Sequence, residues 1–278
     1  MKRLLFFAAA LAASATLLSA AAPPPKSVRL YVFDCGSLDI PDTSPYRLKK
    51  EQLTTSVMSV ACFLVAHPKG TMIWDTGAVP DSSIKPGAPG TLRYGTSNRT
   101  LTAQLAEVGY APGDINYLAL SHFHWDHVGN ANLFASATWL VQKSERDIMF
   151  ADPPSPRTEP ANFSALKNSK TTFITKDDFD VFGDGTVVIK AAPGHSPGHQ
   201  VLFLKLAKTG PVVISGDLYH YPEERKLNLI PTTEFNPDQT VASRAAVEKF
   251  LKQTGAQLWI QHDFTANAKL KKSPAFYE

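Results

Sequence analysis

Seven consecutive residues, Ser121-His122-Phe123-His124-Trp125-Asp126-His127, constrain this chain more than any other stretch. They follow the apolar segment 116–120, which reads as a short strand, so the cluster leaves a sheet at a strand's carboxyl end. In extended backbone, side chains two apart project to one side, which sets His122 and His124 on a common face. Asp126 and His127 come where the chain must turn and can aim at a neighbouring point. Four ligand-type side chains within six residues are costly to pack unless a cation binds among them. Imidazole together with carboxylate suits zinc and similar first-row ions.

Three further segments place metal-capable residues the same way. Pro193-Gly194-His195-Ser196-Pro197-Gly198-His199 follows a strand at 187–192, Gly216-Asp217 follows one at 211–215, and His262 follows one at 257–261. Any one of these alone reads as a cap or a solvated turn residue. Together with the histidine cluster they point to a metal site along one sheet edge, where layered sheet proteins place ligands.

The remaining pattern is that of one globular domain. Residues are 44% hydrophobic and 19% charged, and the 21 prolines exceed the 16 glycines, as in a loop-rich enzyme rather than a fibre. Strands are predicted at 28–33, 57–65, 71–74, 116–120, 139–141, 171–175, 186–192, 201–206, 211–215 and 257–261. Helices are predicted at 100–110, 143–150 and 238–253, the last opened by Asn236-Pro237 and closed by Gly255. Each half runs through strands, a helix and a strand again, which suggests two sheets packed face to face with helices outside. The Pro-, Ser- and Asn-rich stretch 151–170 reads as a long surface loop, either a lid over substrate or a plain solvated excursion.

Lys2 and Arg3, the apolar run 4–18 and the small residues Ser19-Ala20-Ala21-Ala22 form a secretory signal. The expected organisation is therefore a signal peptide at 1–22 and a mature domain at 23–278, located in the periplasm or outside the cell. Loss of Lys2 and Arg3 takes the formal charge from +3 to +1, and no basic stripe is left for nucleic acid to bind. With the leader removed, no membrane association is expected. Cys35 and Cys62 are the only cysteines, and in strand-like apolar runs they fit a disulfide or two buried thiols equally well.

His122-x-His124-x-Asp126-His127, Gly194-His195, Ser215-Gly216-Asp217 and His262 resemble, in order and over roughly residues 28–265, the metallo-β-lactamase superfamily. The resemblance implies an α+β fold, the αββα four-layer sandwich. It implies two zinc ions, with other divalent first-row metals as substitutes. One would be held by His122, His124 and His195, the other by Asp126, His127 and His262, with Asp217 bridging them. His199 would support the site without binding metal. Asp75, in an Asp-Thr-Gly turn, is either the family's buried carboxylate under the site or a turn cap, and His67 belongs to a hairpin turn. The β-lactamases of this fold lack an aspartate at the bridging position, which places lactam hydrolysis lower.

Leu30-Tyr31-Val32-Phe33-Asp34-Cys35-Gly36, the segment 121–130 and Ser215-Gly216-Asp217-Leu218-Tyr219-His220 look most like the N-acyl homoserine lactonases, the quorum-quenching members of the superfamily. That likeness implies a hydrolase whose partner is a small-molecule lactone or ester; a homodimer is compatible with it. A hydroxide shared by the metals would attack the carbonyl, with Asp126 passing a proton to the leaving oxygen. The lactonases carry tyrosine where this chain has His220, so His220 or Tyr219 is expected to hold the oxyanion. Phe123, Trp125 and Phe150 are candidates for an acyl-binding groove. The alternatives are hydrolysis of a thioester, phosphoester or β-lactam on the same scaffold, a metal-dependent oxidoreductase, or a non-catalytic zinc-binding module.

Overall fold

A computed structural model describes residues 22–278. The expected leader lies outside the described residues except for Ala22, whose N–H donates to the Gly109 carbonyl at 2.9 Å. The first sheet contains β1 (Arg29–Asp39), β2 (Val57–His67), β3 (Gly70–Trp74), β4 (Gly90–Leu92), β5 (Gly95–Ser97), β6 (Tyr117–Ala119), β7 (Thr138–Val141) and β8 (Thr171–Phe173). Their order in space is β4-β5-β1-β2-β3-β6-β7-β8. The second sheet contains β9 (Asp178–Asp180), β10 (Val187–Ala191), β11 (Gln200–Leu206), β12 (Gly210–Ile214) and β13 (Gln257–Trp259), in the order β13-β12-β11-β10-β9. A last short strand, β14 (Phe276–Tyr277), returns to pair with β1.

Period-two alternation explains why β2 is buried along almost its whole length. Ala61, Phe63 and Val65 face the second sheet and meet Val187, Ile189, Leu202, Leu204, Val212 and Ile214. Met58, Val60, Cys62 and Leu64 point the other way, into a core shared with α1 (Leu101–Glu107) and α2 (Lys143–Met149). The short helix α3 (Pro222–Leu227) and the long helix α4 (Pro237–Thr254) follow β12, and α4 covers the outer face of the second sheet through Val247 and Leu251 on Val201, Phe203 and Val213. A further single turn, α5 (Phe264–Asn267), follows β13. This is the αββα sandwich.

Local chemistry sets the longest helix. The Asn236 side chain accepts the Gln239 N–H, Pro237 occupies the first turn, and Gly255 ends the helix at φ +68°. The strands β4, β5, β9 and β14 and the helices α3 and α5 are elements that the sequence pattern did not signal; each is six residues or shorter. The stretch 151–170 contains only two 3-10 turns, at Pro160–Asn162 and Ser164–Asn168. Cys35 and Cys62 form a disulfide between β1 and β2, with Cα atoms 5.9 Å apart. Among the described residues, no helix is long and apolar enough to cross a membrane.

Strand direction brings the site together. β10 and β12 are each antiparallel to β11, and β13 is parallel to β12, so all three end on one edge. β3 and β6 are likewise parallel in the first sheet. His195, Asp217 and His262 leave the second sheet where Asp75 and the 121–127 segment leave the first.

Candidate metal centre

Two groups of buried ligand atoms converge there: His122, His124, His195 and Asp217 in one, Asp126, His127 and His262 in the other. In the first, His124 Nδ1 lies 2.7 Å from His122 Nε2 and 2.9 Å from His195 Nε2. Asp217 Oδ2 is 3.5 Å from His122 Nε2 and 3.3 Å from His195 Nε2. In the second, His127 Nε2 and His262 Nε2 are 3.3 Å apart, and Asp126 Oδ2 lies 3.7 and 3.5 Å from them. Asp217 Oδ1 is 3.1 Å from both rings, so one carboxylate faces both groups. Donors at about 2.0–2.1 Å from a tetrahedral zinc stand roughly 3.4 Å from one another, close to these separations.

The partners behind the rings decide what the clustered nitrogens are. His127 Nδ1 donates to Asp75 Oδ2 at 2.8 Å, His195 Nδ1 to Glu234 Oε1 at 3.1 Å, and His262 Nδ1 to the Ser59 carbonyl at 2.7 Å. The Ser121 hydroxyl donates to Asp75, which leaves its oxygen to accept from His122 Nδ1 at 3.1 Å. In each neutral ring the proton is thus on Nδ1, and Nε2 turns a lone pair toward the cluster. Asp217 Oδ1 is itself buried without a hydrogen-bond donor. Lone pairs crowding lone pairs repel unless cations sit among them, so the donor set fits two divalent metal ions.

Electrostatics divides the rings: against the effect of burial, Asp217, Asp75 and Asp126 raise His127 well above the ordinary histidine range, and Glu234 and Asp217 raise His195, so a bound cation displaces protons there. Burial pushes His122 and His124 well below the ordinary histidine range, so both are neutral. Burial opposes ionisation of Asp217, yet the neighbouring rings, His262 and His127 foremost, hold it well below the usual carboxylate range. For Glu234 burial is likewise outweighed by His195, and its carboxyl falls to about 2.

The surrounding residues hold the ligands in place. Asp75, 1% exposed and at φ +56°, accepts from Ser121 N–H, Ser121 Oγ, His127 Nδ1 and Gln261 Nε2. That makes it the carboxylate beneath the centre rather than a turn cap. His199 donates from Nδ1 to the Ala192 carbonyl and accepts the Asp217 N–H at Nε2, both at 2.9 Å. Gly216, at φ +49°, lets the backbone approach: a Cβ there would meet His199 Nε2 at 2.7 Å. His67 stacks on Phe182 and pairs with Asp184, away from the centre.

Above the two groups of candidate ligands lies a cavity of about 300 Å³, lined in part by Leu38, Ile40, Tyr46, Met58, Tyr94 and Trp125. His220 lines it too. Its Nε2 is 3.3 Å from Asp217 Oδ2, and its Nδ1 is 3.2 Å from Glu224, which Arg244 holds at 2.8 Å. Burial opposes a charge on His220, but Glu224 and Asp217 raise its pKa to about 10.

Two expectations need correcting. Tyr219 does not reach the cavity: its backbone is extended (φ −142°, ψ 136°), so it points opposite to His220. It packs on the α4 side, with its hydroxyl on Glu248 and its ring under Arg244. Of the three aromatics considered for a groove, Trp125 lines the cavity, whereas Phe123 and Phe150 pack in the core under α2. Sequence reasoning missed Tyr46, Tyr94, Arg157, Glu224 and Glu234, which carry no motif and reach the site from loops, a hairpin turn and a short helix.

Fold and centre together define the class, and residues 55–262 match the model of the metallo-beta-lactamase superfamily; the chain belongs to that superfamily. It is similar to the N-acyl homoserine lactonase AttM of Azorhizobium caulinodans, at 28% identity, covering 90% of this chain and 99% of the relative. Similarity to the N-acyl homoserine lactonase AiiA of Bacillus thuringiensis subsp. kurstaki is 26%, over 79% of this chain and 87% of the relative. A solved N-acyl homoserine lactone hydrolase, with N-hexanoyl-L-homoserine bound at its catalytic metal center, superposes with a TM-score of 0.75. At 23% identity, over 90% of this chain and 99% of that one, it bears on the fold.

Proposed function

We propose that the protein is a dinuclear zinc hydrolase that opens the lactone ring of N-acyl homoserine lactones. The observation that carries the metal reading is the convergence of ring lone pairs and carboxylates, four of the five rings fixed from behind by an acceptor. The lactone reading is supported by the similarity to the named lactonases along nearly the whole chain.

Zinc ions held by His122, His124 and His195 and by Asp126, His127 and His262, with Asp217 facing both groups, would supply Lewis acidity toward a carbonyl oxygen and a water activated to attack at neutral pH. The protein's own residues do the rest. Asp217 offers one oxygen to each ligand group and would offset the repulsion between two cations held there. His220, held on Glu224, aims Nε2 into the cavity, where it can donate to the carbonyl oxygen as charge develops. Asp126, 7% exposed and lining the cavity, is placed to pass a proton to the leaving oxygen. Leu38, Ile40 and Met58 give the acyl arm an apolar wall.

Export to the periplasm or beyond is part of the reading. It is supported by the charged, then apolar, then small-residue start of the chain and by the disulfide, which persists in oxidising compartments. The test is turnover of lactones, a thioester, a phosphodiester and a β-lactam by the zinc-loaded protein. Acid release from lactones at the highest kcat/KM is expected; turnover of another substrate alone would overturn the lactone assignment. His220→Ala is expected to lower kcat on lactones by about 10²-fold or more, the scale for losing one oxyanion donor.

A further inference from the structure

Four of the five ligand histidines have an acceptor behind them: Ser121 Oγ, Asp75, Glu234 and the Ser59 carbonyl. His124 breaks the pattern. It presents Nδ1 to the metal group, so the proton of its neutral ring sits on Nε2. Nη1 of Arg157 stands 3.5 Å from that nitrogen. A guanidinium only donates, so two donors face each other with no acceptor between them.

Arg157 is held for this position. Its carbonyl accepts the Trp125 N–H at 3.0 Å, and the buried Thr158 beside it ties its hydroxyl to the Ser155 carbonyl at 2.6 Å. Arg93 braces the same loop, pairing with Glu159 and donating to the Pro156 and Thr158 carbonyls. Arg93 is thereby committed to protein acceptors. Arg157 has no ion-pair partner among the described residues, and it lines the cavity with Tyr94 and Trp125.

We propose that the Arg157 guanidinium and His124 Nε2–H form a subsite for an acceptor oxygen in the substrate's acyl arm, favouring arms with a second carbonyl beside the amide over plain alkyl arms. The inference rests on the acyl-lactone reading above. Two carbonyl oxygens in a 1,3 arrangement match the parallel N–H fork of a guanidinium, which a single oxygen fills only in part. A plain alkyl arm excludes water from these donors and returns nothing to them, and a site built to hydrogen-bond discriminates against an analogue lacking the group. The stretch 151–170, which in sequence could be a lid or a solvated excursion, thus supplies a specificity-determining residue.

The experiment compares N-hexanoyl- and N-(3-oxohexanoyl)-homoserine, the ring-opened acids, by calorimetric titration of the zinc-loaded protein. The kcat/KM values for the two parent lactones are measured alongside. The wild type is expected to prefer the oxo form by about tenfold in both readouts, less than a fully buried site would give because Arg157 is partly exposed. Arg157→Met is expected to bring both ratios close to one, and Arg157→Lys to keep part of the preference. A wild type without preference, a ratio unchanged in Arg157→Met, or no binding of either acid overturns the subsite. Oxo-preferring binding of the acids without opening of either lactone leaves the subsite standing and overturns the lactonase reading. Both lactones opened equally well does the reverse.

Discussion

The Asp75 carboxylate is spent on parts of the centre. Its oxygens take the Ser121 backbone and hydroxyl, the His127 ring and the Gln261 amide, from both sheets. Replacement by asparagine would leave an N–H₂ group facing a donor and release the His127 ring from its fixed tautomer. Asp75→Asn is expected to weaken zinc binding at the second position by about 10–100-fold, the usual scale for losing a ligand's supporting partner. Competition with a chelator would measure it; an affinity equal to that of the wild type would reduce Asp75 to a turn residue. At this scale the sequence was legible where residue type and strand-end position coincide, as for His122, His195, Asp217 and His262. It was silent on Glu224, Glu234 and Arg157, because an acidic or basic residue in a loop or short helix has no local mark of a long-range contact. Tyr219 and His220 were both candidates by type, and only the extended backbone at Tyr219 decides which one faces the cavity.

Among the elements, α2 joins the two loops that carry the first ligand group. Its Glu145 is fully buried and accepts from Phe123 N–H, Ser196 Oγ and Gly198 N–H, each at 2.7 Å. Burial outweighs these donors and raises the carboxyl to about 7 from 4.5. An acid with a raised native pKa keeps its proton in the native state while the unfolded chain has lost it, so its contribution to stability falls as pH rises from 4.5 to 7. In the metal-free protein, the stability advantage of wild type over Glu145→Gln is expected to shrink across that window. The change is on the order of 3 kcal/mol, at about 1.36 kcal/mol per pH unit. Urea unfolding of both proteins at several pH values would show it; a constant or growing difference would contradict the assignment. Long elements with clean alternation, such as β2 and α4, were readable from the sequence. The β4–β5 hairpin and α3 were not, since a run of three to six residues holds too little periodicity to stand out.

Across the whole molecule, the sandwich works as two sheets whose strand ends share one metal centre, so anything that ties the chain together supports the site. The Cys35–Cys62 disulfide closes a 27-residue separation between β1 and β2, beside the turn that carries Asp75. Removing it by a paired Cys35→Ala and Cys62→Ala substitution is expected to cost roughly 3–4 kcal/mol of stability by the chain-entropy account. Denaturant unfolding measures this; an unchanged midpoint would mean that the pairing contributes nothing. The α+β sandwich itself was legible because both the alternating strands and the strand-end ligands pointed to the same architecture. The central claim is that these strand ends hold two metals through a shared Asp217, and native mass spectrometry of the zinc-saturated chain tests it most directly. About two zinc ions per chain are expected in the wild type, with at least one lost in Asp217→Ala; a wild type that takes up one ion or none would contradict the account.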